Sequence, residues 1–183
     1  VAAGVILPSD FDDSKINDSK KLTDKQRRSL FIEIKEKAIF YHISIISPQT
    51  IDEINILEAS RLGMQQALDE MIKNNFEPDV VITDYMKLNT NKNLVSIKKG
   101  DATSLSVAAA SILAKVTRDD ILMEIDKKYP DYGFAKHKGY PTKAHLEALE
   151  KYGIIDGIYR KSYGPVKKII EKAWRKIQAF LHM

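Results

Sequence analysis

Three features of this 183-residue chain predict an α/β fold. The run Val80-Val81-Ile82 is β-branched and is bounded by Pro78 and by polar residues, which reads as a buried strand. The stretch Lys98 to Asp119, KKGDATSLSVAAASILAKVTRD, carries Ala108, Ala109, Ala110 and Ala114. It reads as a helix whose backbone can lie close against a sheet. Asp84 closes the strand, at the carboxyl end where α/β folds place their chemistry.

Taken in order, Val1 to Leu7 reads as a strand and Asp10 to Leu22 as a charged loop. Thr23 is an N-cap, with Asp24 in the first turn of a helix reaching about Ala38. Leu30, Phe31, Ile34 and Ala38 give that helix a buried stripe. Phe40 to Ile46 alternates as a strand, with Tyr41, Ile43 and Ile45 on one side. Pro48 and Thr50 introduce a helical stretch that breaks near Ile54-Asn55 and runs to about Lys73. Its inner face is Ile51, Ile54, Leu57, Leu62, Ala67, Leu68 and Met71.

The Asp84 strand and a strand at Leu94 to Lys98 follow, then a helix from about Ser104 through Lys127. A loop of aromatics, glycines and lysines, Tyr129 to Tyr140, leads into a helix from Thr142 to about Lys151. A last helix begins near Pro165 and ends near Leu181. Val166, Ile169, Ile170, Ala173, Trp174, Ile177, Phe180 and Leu181 recur on it at helical spacing, opposite Lys167, Lys168, Lys172, Arg175 and Lys176. This reads as a core-packing helix with a solvated basic face.

The bulk numbers describe a globular protein, with 44% hydrophobic and 30% charged residues. A net charge of +4 is compatible with a nucleic-acid partner without establishing one. The absence of cysteine excludes disulfides and thiolate metal sites, and suits a cytoplasmic location. No apolar run approaches the roughly 20 residues that span a membrane.

Asp84 and Asp101 lie 17 positions apart, with room for one strand between them, so they can converge at one sheet edge. Asp101 stands just ahead of a helix N-terminus, where unpaired N–H groups and the macrodipole favour an anion. Two carboxylates held close repel each other, and a divalent cation resolves that repulsion. Capping is the alternative reading of both. Asp12, Asp13 and Asp18 read as structural, Asp119 as a local ion pair with Arg118, and the four histidines show no metal-ligand spacing.

The chain resembles type 2 ribonuclease H, ribonuclease HII. KKGDATSLSVAAASILAKVTRD is similar to that family's central motif, Asn17 to Leu22 to its lysine-rich loop, and YGFAKHKGYPTKAH, Tyr132 to His145, to its substrate-facing segment. The resemblance extends to about Lys168. It implies a ribonuclease H-like mixed sheet flanked by helices and a helical C-terminal part. Residues 1–183 would form one domain, with a core over 1–128 and a substrate-facing loop and helices over 129–183.

The resemblance further implies an endonuclease that hydrolyses the RNA strand of RNA–DNA hybrids and cuts at ribonucleotides embedded in duplex DNA, leaving a 3′-hydroxyl and a 5′-phosphate. Asp84 and Asp101 would be the third and fourth carboxylates of a site for two Mg²⁺ or Mn²⁺ ions about 4 Å apart. Tyr140 would stack on a deoxyribose beside the ribonucleotide. Lys20, Lys21, Lys99, Lys136 and Lys138 would meet phosphates. Ser104 would donate to a phosphate or cap its helix. The protein would act as a monomer.

The family's opening strand, with adjacent Asp and Glu and a Gly-Arg-Gly turn, has no counterpart here, since Val1 to Pro8 resembles the second strand. Two of the four carboxylates are therefore missing, and the sequence as it stands is expected to be a truncated, inactive record of a longer chain. One rival is a non-catalytic nucleic-acid-binding module with the same fold. Another is a two-aspartate phosphatase, against which the lysine-rich loops argue.

Overall fold

The computed structural model describes residues 1–12, 14, 16 and 22–181. Asp13, Asp18, Lys20, Lys21 and His182 lie outside the described residues, as do the side chains of Lys176, Phe180 and Leu181. The chain forms two compact units, one of Val1–Ile46 with Leu57–Arg118 and one of Ser47–Ile56 with Asp119–Met183.

In the first unit, β1 (Ala2–Ile6) pairs antiparallel with β2 (Phe40–Ser44), from Ala2 opposite Ser44 to Ile6 opposite Phe40. Between them, α1 (Asp24–Lys37) starts at a complete capping box. The Gln26 N–H donates to the Thr23 hydroxyl, and the Gln26 side chain accepts from the Thr23 N–H. One face of the β1–β2 ladder sends Ala3, Val5, Tyr41 and Ile43 against a cluster of Phe11, Leu30, Ile34, Ala109, Ile112, Leu113 and Val116. On the other face the backbones come close. A Cβ added to Gly63 would lie 3.0 Å from the Ala2 Cβ, so only glycine lets helix and strand approach this far.

Gly63 belongs to α2 (Pro48–Lys73), whose helical path is broken at Asn55, with φ 69° and ψ 167°. A positive φ with an extended ψ is a conformation few non-glycine residues adopt. The break resets the helical phase, which explains why Leu57, expected on the inner face, is 62% exposed.

The second ladder joins β3 (Val80–Asp84) to β4 (Asn93–Ile97) in parallel, with Asp84 opposite Ile97. Both senses of a mixed sheet are thus present among the described residues, in two two-stranded ladders. Val80 and Ile82 are not buried as their sequence suggests, being 44% and 39% exposed. The pleat sends them and Val95 to a bare face, while Thr83 points to the covered one. β2 ends at Ser44, and Ile45 beyond it is exposed rather than part of the strand.

The helix α3 (Leu105–Lys128) follows a 3₁₀ turn, Gly100–Ala102. The second unit adds a 3₁₀ turn at Pro130–Tyr132, α4 (Phe134–His137), α5 (Lys143–Tyr152) and α6 (Gly164–Leu181). Its core is Tyr132, Phe134, Ala148, Leu149, Tyr159 and Val166. The Asp52 carboxylate, on the first segment of α2, accepts from the backbone N–H groups of Lys161 and Ser162 at 2.7 and 2.9 Å. These bonds hold its carboxyl below the usual carboxylate range, with the Ser162 side chain the largest cause.

Among the described residues of α6, only those of the first turns are core-packing. Val166 is buried and Ile169 and Ile170 join the cluster, whereas Trp174 and Ile177 are exposed. Helical periodicity marks one apolar face, but packing partners reach only its near end. Among the described residues no helix is long and apolar enough to cross a membrane.

Candidate active site

Asp84 sits at the last position of β3, where the strand ends in a tight turn. The Tyr85 N–H donates to the carbonyls of Thr83 and Ile97, and Tyr85 adopts a left-handed φ of 54°. The Thr83 hydroxyl donates to the Met86 carbonyl and so closes the turn from its buried side. The Asp84 side chain reaches back, and its Oδ1 accepts from the Gly100 N–H at 3.0 Å. That bond ties the end of β3 to the residue next to Asp101.

Gly100 is buried because the 3₁₀ turn packs onto β3. A Cβ there would lie 3.2 Å from the Val107 Cγ1, 3.5 Å from the Asp84 Cα and 3.6 Å from the Thr83 carbonyl oxygen. Glycine is needed here for close approach. The left-handed residue of the turn is Lys99, with φ 60°. The turn is held by N–H donations from Ala102 to the Lys99 carbonyl and from Ser104 to the Gly100 carbonyl. It keeps Asp101 buried, 6% exposed, ahead of α3, while Asp84 is exposed.

The Ser104 hydroxyl lies at capping distance of α3, 3.5 Å from the Val107 N–H, and its carbonyl accepts from the Ala108 N–H. Asp119 is buried, 4% exposed.

Asp84 and Asp101 are two carboxylates of different exposure, Asp84 held by the Gly100 N–H. Their donors are hard oxygens, which suit Mg²⁺ or Mn²⁺. Among the described residues no group of three or more His, Cys, Asp or Glu side chains is assembled that would hold a metal ion.

In the second unit, Tyr140 is 56% exposed on the segment between α4 and α5. Lys138 precedes it in a left-handed conformation, φ 48°, and Lys136 is exposed. Lys21 lies outside the described residues. His137 and His145, which show no ligand spacing in the sequence, prove to be a buried stacked pair, their rings 3.8 Å apart and 11° from parallel. The one sequence signal was that they bracket the turn carrying Gly139-Tyr140-Pro141-Thr142.

Burial, and next the neighbouring His137, pushes the His145 imidazole below its ordinary value, against the opposing pull of its bond to the Tyr140 carbonyl. Burial likewise pushes the Tyr159 phenol well up. Each holds its group neutral.

The ribonuclease HII family profile matches residues 1–164. The chain is 48% identical over 171 residues to a ribonuclease HII of Bacillus cytotoxicus, and 49% identical over 172 residues to one of Bacillus thuringiensis. These alignments take in 93% and 94% of this chain but 64% and 65% of the relatives. The chain therefore spans just under two thirds of the length of these curated relatives. Among solved structures, the ribonuclease H2 of Pyrococcus horikoshii superposes with a TM-score of 0.67 at 25% identity, over 86% of this chain and 81% of the other.

Proposed function

The chain belongs to the ribonuclease HII family, and on that premise we propose that its parent protein is an endonuclease of RNA–DNA hybrids and of ribonucleotides embedded in duplex DNA. In this reading Asp84 and Asp101 hold divalent metal, Mg²⁺ or Mn²⁺. When bound, such ions supply an activated water and stabilise the leaving 3′-oxygen. The protein's own part is to keep two carboxylate oxygens in place before substrate arrives. The single observation that carries the reading is the 3.0 Å bond from the Gly100 N–H to Asp84, which sets the end of β3 against the turn holding Asp101.

Tyr140 offers an exposed ring to a deoxyribose face. Lys21 and Lys138 are assigned to phosphates, where a mobile ammonium contributes affinity without reading sequence. Ser104 caps α3 and presents its hydroxyl beside the same turn. Residues 129–183 would serve as the substrate-facing part. A monomer in the cytoplasm completes the assignment.

The test is Asp84→Asn and Asp101→Asn in the longest natural chain that contains this sequence. Each variant should lose cleavage of an RNA–DNA hybrid and weaken Mn²⁺ binding by calorimetry, while retaining duplex binding. Undiminished cleavage in both variants would refute the assignment.

A second reading, a non-catalytic hybrid-binding module, is favoured by the gathering of fewer than three metal-ligating side chains among the described residues. It predicts binding without cleavage in the unmodified long chain.

A further inference from the structure

His137 and His145 make four hydrogen bonds among them that fix the protonation of both rings. The Gly139 N–H donates to the His137 Nδ1 at 3.1 Å, so that nitrogen carries no proton. The opposite nitrogen, Nε2, lies 2.8 Å from the Tyr132 carbonyl, which can only accept, so the proton sits there. His145 is the mirror case. Its Nδ1 lies 2.9 Å from the Tyr140 carbonyl and must donate, while its Nε2 lies 2.9 Å from the Tyr159 hydroxyl. With burial holding the ring neutral, Nε2 accepts from that hydroxyl.

Two neutral imidazoles of opposite tautomer are thus stacked face to face, with the rings of Phe134 and Tyr159 also against His145 and those of Tyr132 and Phe134 nearby.

What this pair holds is the backbone around Tyr140. The Tyr140 N–H donates to the His137 carbonyl at 2.9 Å, its carbonyl accepts from His145, and the preceding Gly139 N–H is taken by His137. The Gly139 N–H and the Tyr140 carbonyl are therefore tied to the two buried rings, and the Tyr140 N–H to the His137 backbone.

We propose that His137 and His145 are positioning residues for Tyr140: the stacked neutral pair sets the backbone from which that ring meets the nucleic acid. The proposal rests on the reading of Tyr140 as a substrate contact. The histidines touch no substrate themselves. Protonating His145 would turn its Nε2 into a donor and reverse its bond with Tyr159. That change also sets charge in the stack, so acid should loosen the presentation of Tyr140.

The experiment uses the longest natural chain and a short RNA–DNA hybrid of defined sequence. Nitrogen-15 imidazole spectra at pH 7.5 should show His137 protonated on Nε2 and His145 on Nδ1. His145→Ala should raise the hybrid Kd and KM by about tenfold with kcat little changed. His145→Asn, whose amide can still donate to the Tyr140 carbonyl, should recover most of that loss. In a Tyr140→Ala background, His145→Ala should add nothing further. Tyr159→Phe, which deletes one hydroxyl, serves if the alanine variant does not fold, and should raise KM and shift its acid limb towards higher pH.

The opposite tautomers, or equal effects of the His145 change with and without Tyr140, would overturn the positioning role alone. An unmodified protein that fails to bind the hybrid would overturn the substrate reading of Tyr140 and this proposal with it, whatever the tautomers.

Discussion

The Asp84 carboxylate accepts a 3.0 Å hydrogen bond from the backbone N–H of Gly100, the residue immediately before Asp101. A strand end and a 3₁₀ turn 16 positions apart are joined there by one bond from a side chain to the backbone. The consequence is preorganisation. The contact is as rigid as the packing of the turn onto β3 and Val107.

Gly100→Ala tests that packing. The new Cβ would press on the Val107 Cγ1 at 3.2 Å and contact β3 backbone atoms. The turn should move by a few tenths of an ångström, costing about 1–3 kcal/mol of stability. Chemical denaturation measures the cost, and Mn²⁺ titration should show weaker binding in the same variant. A stability and affinity equal to the parent would mean the turn is not tightly seated.

Acid sensitivity should track His145. Its imidazole is held below the ordinary 6.5 by burial first and by His137 next. The unfolded chain therefore takes up this proton at a higher pH than the folded one. The contribution to stability is complete above about pH 6.5, declines as pH falls from there towards the folded-state value, and is level below it. Urea midpoints between pH 5 and 7.5 should show the decline, and His145→Asn should flatten it relative to the parent. Parallel curves for the two proteins would contradict this account.

Leu113 and Leu57 make a matched pair. Leu113 is fully buried on α3, and Leu113→Ala should cost about 2–5 kcal/mol. Leu57, 62% exposed just past the break at Asn55, should tolerate alanine within about 0.5 kcal/mol. Comparable losses at both sites in urea unfolding would show that Leu57 is covered.

The single tryptophan, Trp174, reports on α6. At 61% exposure its emission should resemble that of indole in water and be readily quenched by acrylamide. Blue-shifted, protected emission in the free protein would mean that the distal half of α6 is covered.

Local features of this fold were legible from residues alone. Thr23 with Asp24 announces a helix start, and the structure completes it with a capping box to Gln26. The break in α2 was readable at Ile54-Asn55, and the structure turns left-handed at Asn55. The alanine-rich run after Asp101 is a helix packed close, with Ala108 and Ala109 buried. Asp84 and Asp101 could be paired because one strand fits between them and both flank element ends. The long motifs carried the family, which length, charge and composition could not.

By itself, then, the sequence determined most of the helices and strands, and which acidic residues lie near their ends, since capping, periodicity and chain reach act over a few positions. The tertiary structure alone decided exposure and contact. It left Val80, Ile82 and Trp174 uncovered, made Gly100 a point of close approach, and stacked His137 on His145 from either side of a turn. Those outcomes depend on which distant atoms arrive alongside, and no local pattern of residue types encodes that.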